Sequence, residues 1–239
     1  MSKTITLITG ANKGIGLETA KQLAALGHHV ILAARDLAKA SAAAQSLVGD
    51  VEALQLDVTD AISISAAVAL VAQKHGHLDV LVNNAGVMLD DMALKPSEQT
   101  LACWRQTFDT NVFGLVAVTQ AFLPLLKKSS GARIVNLSSI LGSNTLHQTP
   151  DSGIYEVKVP AYNVSKSAVN AWTVHLAHEL RGTPHKVNAA HPGHVQTDMG
   201  GAAAPMGIPE GAKTSVWLAT LPSDGPNGGY FHQGETLPW

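Results

Sequence analysis

A tyrosine and a lysine four residues apart, Tyr162 and Lys166, have the clearest chemical potential in this 239-residue sequence. They occupy the segment YNVSK inside a predicted helix, where residues i and i+4 share one face. A phenol and an ammonium on one face can point into the same cleft. By chance, roughly 0.15 Tyr-x-x-x-Lys matches are expected. An ordinary exposed pair is the alternative. It is less favoured because Asn136–Ser139 (NLSS) ends the preceding strand at the edge where a substrate should bind.

A glycine-rich loop, Thr9–Gly16 (TGANKGIG), joins the first predicted strand to the first helix. Glycines let the backbone approach a pyrophosphate, and the helix N-terminus offers free N–H groups and a positive dipole end. The spacing is neither G-x-G-x-x-G nor a Walker A loop. An ordinary glycine-rich turn is the alternative, but the position between strand and helix favours a nucleotide site.

Two further segments follow strands on the same edge of the predicted sheet. Asn83–Gly86 (NNAG) comes directly after the fourth strand, and His191–Asp198 (HPGHVQTD) after the sixth. Each could be only a turn, since Asn-Gly and Pro-Gly are turn formers. In the second segment, however, the Thr197 hydroxyl can bind a ligand amide.

The elements that position these residues alternate between short apolar strands and longer helical patterns, without a linker that would divide them. We predict an α/β fold: one doubly wound, Rossmann-type domain over residues 1–239, with a parallel sheet and helices on both faces. The strands are predicted at Ile5–Thr9, Val30–Ala34, Val51–Leu56, Val80–Val82, Arg133–Leu137 and Val187–Ala190. The helices are predicted at Ile15–Leu26, Leu37–Leu47, Ile62–His75, Asn111–Leu126, Ala161–Leu180 and Glu210–Leu221.

Composition excludes several function classes. Hydrophobic residues make up 46% of the chain and the net charge is −2, so the chain can build a large core and has no basic footprint for nucleic acid. No run of 18 consecutive apolar residues suggests a membrane span, and the N-terminal residues do not resemble a signal peptide. The single cysteine, Cys103, suits a reducing compartment, so we expect a cytoplasmic protein.

The eleven histidines contain no H-E-x-x-H pattern. His175 and His178 are three apart on a predicted helix but lack a third ligand nearby, so we predict no metal site. A serine hydrolase is not favoured, because no G-x-S-x-G elbow occurs.

Taken in order, TGANKGIG, NNAG, the serine strand end, YNVSK and PGHVQT resemble the short-chain dehydrogenase/reductase family, from residue 4 to about 237. The resemblance implies about seven strands in the order 3-2-1-4-5-6-7 and hydride transfer between a nicotinamide cofactor and a carbonyl or alcohol. The cofactor would contact Gly10, Asn12, Lys13, Gly14, Ile15, Gly16, Arg35, Asp57, Val58, Asn84, Ala85, Gly86, Tyr162, Lys166, Pro192, Gly193, Val195 and Thr197.

By the same resemblance, Tyr162 would be the proton donor in reduction and the base in oxidation. Lys166, together with the charge of the oxidised cofactor, would lower the pKa of that phenol and hold the nicotinamide ribose. Ser139 would hydrogen-bond the substrate carbonyl, and Asn111, opening its helix, would support a water relay to the lysine. Ser138 is the alternative to Ser139, but Ser139–Gly142 fits the family's S-x-x-G better.

The end of the second strand bears on cofactor choice. The family's acidic position falls on Ala34, whereas Arg35 beside it and Lys13 in the glycine loop can bind a 2′-phosphate, which favours NADP(H) over NAD(H). The alternative is a solvated Arg35, with Asp36 on the ribose of NAD.

A longer segment between the serine and the tyrosine, about 141–160, resembles an insertion of the carbonyl-reductase branch. It implies an NADPH-dependent reductase of a small-molecule ketone or aldehyde, with a mobile lid at about 194–209. Monomer, dimer and tetramer all stay open. A non-catalytic NADP-binding sensor or scaffold on the same fold is the alternative function. Candidates for the substrate lining are Leu141, Tyr155, Met199 and Met206.

Overall fold

Seven parallel strands form one sheet because helices return the chain to the same edge after each of the first six strands. The computed structural model describes residues 3–239, so the first two residues of the predicted domain lie outside it. The sheet order is β3-β2-β1-β4-β5-β6-β7-β8, which confirms the predicted order and adds one strand. The strands are β1 (Ile5–Ile8), β2 (His29–Ala34), β3 (Asp50–Gln55), β4 (Val80–Asn83), β5 (Arg133–Leu137), β6 (Lys186–Ala190), β7 (Tyr230–His232) and β8 (Glu235–Thr236).

The additional strand β8 is antiparallel to β7. A two-residue turn joins them, in which Gln233 and Gly234 both have positive φ, as a tight hairpin requires. Two residues are too short for a periodicity to be read from sequence, so the prediction ended at the preceding strand.

Helices cover both faces of the sheet. On one face α3, α5 and α7 pack on Leu7, Ile31, Leu81 and Ile134; on the other α1, α2 and α8 pack on Ile8, Leu32, Val82 and Val135. The helices are α1 (Gly14–Ala25), α2 (Leu37–Gln45), α3 (Ala61–His75), α4 (Leu101–Phe108), α5 (Leu115–Leu126), α6 (Asn144–Gln148), α7 (Pro160–Glu179) and α8 (Ile208–Ala219). Short 3₁₀ turns lie at Pro96–Glu98 and Ile140–Gly142.

Two helix starts differ from prediction for one reason. α7 begins at Pro160 and α8 carries Pro209 at its second position, whereas the predicted helices began after each proline. Proline is tolerated in the first turn, where its missing N–H has no intrahelical acceptor.

The predicted helix Asn111–Leu126 is wrong at its start. Helical structure runs from Leu101 to Leu126, and a π-helical turn at Asp109–Gly114 joins α4 to α5. Asn111 therefore lies inside a continuous helix. The polar residues Arg105 and Asp109 of this helix interrupt its apolar pattern, so the sequence did not indicate the earlier start. π-Helical turns such as this one are frequent at functional sites.

This continuous helix also qualifies the expectation about membranes. Its most apolar 18-residue stretch has a mean hydropathy of 1.3, enough by length and composition to cross a bilayer, but 44% of that stretch is buried inside the domain. Val118 and Phe122 on it are fully buried against the sheet. Packing in the core thus explains the buried apolar residues of this helix, while Leu101 and Phe113 are exposed.

A buried polar ladder links the ends of the central strands to the helices behind them. Asn83 on β4 donates to Thr119 and to Asn136 on β5, both at 2.9 Å, and Asn136 donates to Thr173 on α7 at 3.0 Å. Buried amides and hydroxyls need such partners. The ladder fixes α7 relative to the strand ends that carry the candidate site.

Candidate active site

The glycine loop packs tightly against the residues that follow β4. At Gly10 the backbone has φ +61°, and a Cβ there would lie 2.9 Å from the Cα of Ala85. A Cβ at Gly16 would collide with the Asn84 amide nitrogen and lie 2.9 Å from the Gly10 carbonyl. Only glycine permits this close packing.

Hydrogen bonds join the same two segments. The Thr9 hydroxyl accepts from the backbone N–H groups of Asn84 and Ala85, each at 3.0 Å, and the Asn84 side chain donates to the carbonyls of Thr9 and Gly10. The loop is therefore held open above the start of α1, whose N-cap residue Lys13 provides no side-chain cap. Free N–H groups at a helix start suit a phosphate, so the loop fits a dinucleotide.

The start of α7 is capped by a residue from another segment. Both carboxylate oxygens of Asp90, in the loop after β4, accept from the first turn: one from the Ala161 N–H at 2.8 Å, the other from the Tyr162 N–H at 3.0 Å. The helix's own N-cap, Val159, supplies no side-chain oxygen. Asp90 thus replaces the missing local cap and fixes the backbone of Tyr162.

Tyr162 and Ser139 meet in this site. Both are buried, and the Ser139 hydroxyl lies close enough to the Tyr162 phenol to lower its pKa. The Ser139 oxygen also accepts from the Leu141 N–H at 3.2 Å, which fixes the serine at the start of the 3₁₀ turn. Ser138 instead donates to Asn170 at 2.6 Å, away from the phenol, so the geometry favours Ser139 over Ser138.

Burial dominates the acid–base properties of the site. It raises the pKa of Tyr162 to about 12, against the opposing effect of the nearby Ser139 hydroxyl, because the phenolate loses its hydration. Burial of the phenol thus outweighs any lowering of this pKa by Lys166, and the expected effect of the oxidised cofactor stays a prediction. The Lys166 ammonium lies 5.5 Å from the centroid of the Tyr162 ring.

The Lys166 ammonium is held by the strand end. It donates to the Leu137 carbonyl at 2.7 Å, the last residue of β5. Burial lowers the pKa of Lys166 to about 8. The ammonium thus lies beside Tyr162 and the end of β5, with its charge only partly stabilised.

Asn111 uses its amide on neighbouring backbone. Its oxygen accepts from the Val87 N–H and its nitrogen donates to the Val87 carbonyl, each at 2.8 Å, and to Ser165 at 3.0 Å. A Cβ on Gly86 would lie 3.4 Å from the Asn111 oxygen and 3.6 Å from the Lys166 nitrogen. The structure therefore brings Asn111, Gly86 and Lys166 together, and Asn111 ties the loop after β4 to α7.

Two residues that sequence reasoning did not assign support the candidate catalytic residues Ser139 and Tyr162. The His191 Nδ1 accepts from the Ile140 N–H at 3.1 Å, while burial and the nearby His232 lower the pKa of His191 to about 3. His191 is thus a neutral acceptor that fixes the turn after the serine. Asp90 is the other. Neither has a local sequence signal, because the partners of each lie far away in the chain.

The end of β2 separates the two charged candidates for cofactor choice. The Asp36 carboxylate accepts from the Lys39 N–H at 3.1 Å and so caps α2, whereas Arg35 is exposed at the sheet edge. Asp57 accepts from the Thr59 N–H and hydroxyl. Val58 is buried, and its carbonyl lies where a Cβ on Gly114 would come within 2.8 Å.

The segment after β6 folds back over the glycine loop. Lys13 pairs with Asp198 at 2.5 Å, and Thr197 lies nearest to Gly14. The remaining predicted residues, Pro192, Gly193 and Val195, begin this segment, and Asn12 and Ile15 lie in the loop opposite. The Lys13–Asp198 pair and the approach of Thr197 to Gly14 thus bring this segment against the glycine loop.

The predicted lining residues are less closely placed. Met206 pairs with Val195 in a β-bridge and lies against Gly193, at the start of the segment after β6. Leu141 lies in the 3₁₀ turn beside Ser139. Tyr155 is exposed under the Lys158 ammonium, at 5.1 Å, and Met199 is exposed as well. The structure therefore places Leu141 and Met206 near the site, and Tyr155 and Met199 at the surface.

The comparisons with known proteins agree with this arrangement. A family model described as short chain dehydrogenase matches residues 4–206. Short-chain dehydrogenase anuI of Penicillium roqueforti is 36% identical over 230 residues, covering 92% of this chain and 90% of that protein. Carbonyl reductase (NADPH) 1 of Bos taurus is 33% identical and covers 100% of this chain and 99% of its own length.

Among solved structures, NADPH-bound carbonyl reductase from chicken fatty liver superposes with a TM-score of 0.83 at 29% identity, covering 99% of each chain. Fold, motif order and relatives agree over almost the whole sequence. The chain therefore belongs to the short-chain dehydrogenase family and is an oxidoreductase, with carbonyl reductases among its relatives.

Proposed function

We propose that the protein reduces ketones or aldehydes to alcohols with NADPH, and that Tyr162 is the proton donor. The observation that carries the proposal is the burial together of two hydroxyl groups, those of Tyr162 and Ser139, beside the Lys166 ammonium. A carbonyl oxygen that enters between the two hydroxyls accepts from both. NADPH, when bound, supplies the hydride for the carbonyl carbon.

The residues divide the work as follows. Ser139 and Tyr162 stabilise the negative charge that develops on the carbonyl oxygen, in a site where burial strengthens each hydrogen bond. The high pKa of Tyr162 keeps its proton in place near neutral pH until that oxygen becomes basic. The Lys166 ammonium then lies close enough to offset the phenolate charge.

This geometry favours reduction over oxidation. Alcohol oxidation needs the Tyr162 phenolate as a base, and burial opposes that state. A positive charge on the oxidised cofactor would favour the phenolate. Oxidation is therefore the direction that depends on high pH. The alternative function, a non-catalytic sensor, does not account for a tyrosine, a serine and a lysine gathered in one buried site.

NADP(H) rather than NAD(H) fits the end of β2. Asp36 caps α2 and is engaged there, while the exposed Arg35 can bind a 2′-phosphate. Relatives named as NADPH-dependent carbonyl reductases support the same choice. We propose that residues 141–160 and 194–209 cover the substrate, the latter as the mobile lid. The cytoplasmic location stays a prediction from the single cysteine, and the oligomeric state stays open.

Tyr162→Phe tests the proposal. The change removes the proton donor and keeps the ring, so ketone-dependent NADPH consumption should fall by about 10²–10⁴-fold, while NADPH affinity stays within a few-fold. The measurement is steady-state turnover on a panel of aromatic and aliphatic ketones. Tyr155→Phe, the same change at an exposed tyrosine, is the matched control. Equal turnover in wild type and Tyr162→Phe would overturn the assignment.

Arg35→Ala tests the choice of cofactor. Loss of a charge-assisted contact of about 1.5–3 kcal/mol should weaken NADPH by roughly 10–100-fold and leave NADH nearly unchanged. The measurement is the KM of each cofactor with one ketone. Arg105→Ala, at an exposed arginine on α4, should change neither value. Equal losses for NADPH and NADH in Arg35→Ala would contradict the NADP assignment.

Asp90→Ala tests whether the distant cap positions Tyr162. Without the two hydrogen bonds the start of α7 should lose about 1 kcal/mol and shift the phenol, so we expect kcat to fall about tenfold with the KM for NADPH unchanged. Asp90→Asn, which keeps one acceptor oxygen, should recover part of kcat. The control is Asp91→Ala, whose carboxylate caps only its own turn at Ala93. A kcat equal to that of the control would show that the cap has no positioning role.

A further inference from the structure

A cluster of two histidines and a glutamate lies at the opposite edge of the sheet from the active site. His29 is the first residue of β2, Glu52 lies within β3, and His75 is the last residue of α3. The three candidate ligand atoms all lie within 4.8 Å of one another. The Glu52 Oε1 is 2.8 Å from the His75 Nε2 and 3.5 Å from the His29 Nε2. The three side chains are mostly buried.

One ring nitrogen of His29 has no hydrogen-bond partner among residues 3–239. Its Nδ1 lies 2.9 Å from the Asp50 Oδ1, and because a carboxylate only accepts, the Nδ1 carries a proton. In the neutral imidazole the Nε2 then bears a lone pair. That atom is buried and has no hydrogen-bond partner within residues 3–239. It faces a carboxylate oxygen, which also offers only lone pairs, so a cation belongs between them.

We propose that His29, Glu52 and His75 bind a divalent transition-metal ion, represented by Zn²⁺. Two imidazole nitrogens and one carboxylate oxygen are a ligand set that Zn²⁺ accepts, with water as a fourth ligand. Donors around tetrahedral zinc lie about 3.3 Å apart. The distances from Glu52 to the two histidines, 2.8 and 3.5 Å, lie on either side of that value.

Asp50 completes the arrangement from outside. Zinc-bound histidines usually donate their second ring N–H to a carboxylate, which fixes the tautomer and raises the basicity of the ligating nitrogen. Asp50 is hydrogen-bonded to His29 in this way and is itself paired with Lys3 at 2.7 Å. The carboxylate hydrogen bond that usually supports a zinc-bound histidine is therefore present at His29.

Lys74 distinguishes a metal site from an ion-pair network. Its ammonium lies 2.7 Å from the second oxygen of Glu52 and competes with a metal ion for that carboxylate. If the cluster is only an ion-pair network, removing Lys74 weakens it. If the cluster binds a metal ion, removing Lys74 frees Glu52, reduces charge repulsion and tightens binding.

The proposed metal site links three elements of the fold and takes no part in the hydride transfer. It joins β2, β3 and α3 at the end of β2 remote from Arg35, about 20 Å away by the rise of a strand. A bound ion should stabilise the fold without changing turnover. Sequence reasoning predicted no metal site, because it considered histidines that are close together in sequence, whereas these three ligands lie on separate elements.

The test is calorimetric titration of Zn²⁺ into tag-free, chelator-treated full-length protein, together with thermal unfolding. We expect one site and a higher Tm with Zn²⁺. His29→Gln, His75→Gln and Glu52→Gln should each weaken binding at least tenfold, and Lys74→Gln should tighten it. The double variant His175→Gln/His178→Gln, which removes two exposed histidines three residues apart, should bind like wild type. Ketone reduction in the wild type should be the same with and without Zn²⁺.

Several outcomes would overturn the proposal: no binding by wild type, equal binding by the three ligand variants, or loss of binding in the His175/His178 control. Weaker binding in Lys74→Gln would also count against it, and this variant stays informative if Glu52→Gln does not fold. If NMR shows that His29 and His75 share a proton and that Zn²⁺ does not perturb their signals, the cluster holds a proton and the metal-site proposal is wrong.

Discussion

The burial of one phenol and one ammonium on the first two turns of α7 is the constraint on which the rest of the site depends. Desolvation disfavours the charged form of each group, which raises the pKa of Tyr162 to about 12 and lowers that of Lys166 to about 8. A site of this kind holds its proton on the phenol. In the proposed reaction it releases that proton only when a nearby oxygen becomes strongly basic, as a carbonyl oxygen does during reduction.

Much of the surrounding structure serves to hold these two side chains in place. Asp90 caps the helix from another loop, the Leu137 carbonyl accepts from Lys166, and the Asn83–Asn136–Thr173 ladder ties the helix to the central strands. These contacts use backbone groups and buried amides, which are costly to leave unpaired. The geometry of the candidate active site is therefore coupled to the stability of the sheet edge.

The sequence predicted the parts of this design that are local. The glycine loop and the Tyr162–Lys166 spacing follow from short patterns, the strands and helices follow from their periods, and the strand order was implied by the family resemblance. It did not predict Asp90 as a cap, His191 as an acceptor for the Ile140 N–H or the meeting of His29 with His75, because each depends on partners distant in the chain. The π turn at Asn111 and the pKa of Tyr162 were not predicted either, because both are set by packing. The capping role of Asp36 could have been predicted, since an aspartate directly before the first residue of a predicted helix is a common N-cap.

The most direct measurement is the ionisation of Tyr162 itself, followed as the phenolate absorbance of wild type minus that of Tyr162→Phe across pH. Without cofactor, the account predicts no Tyr162 phenolate below about pH 10, the ordinary tyrosine value, because burial opposes the charge. Saturation with NADP⁺ should bring the signal to lower pH. A phenolate that forms near neutral pH in the cofactor-free protein would contradict the account.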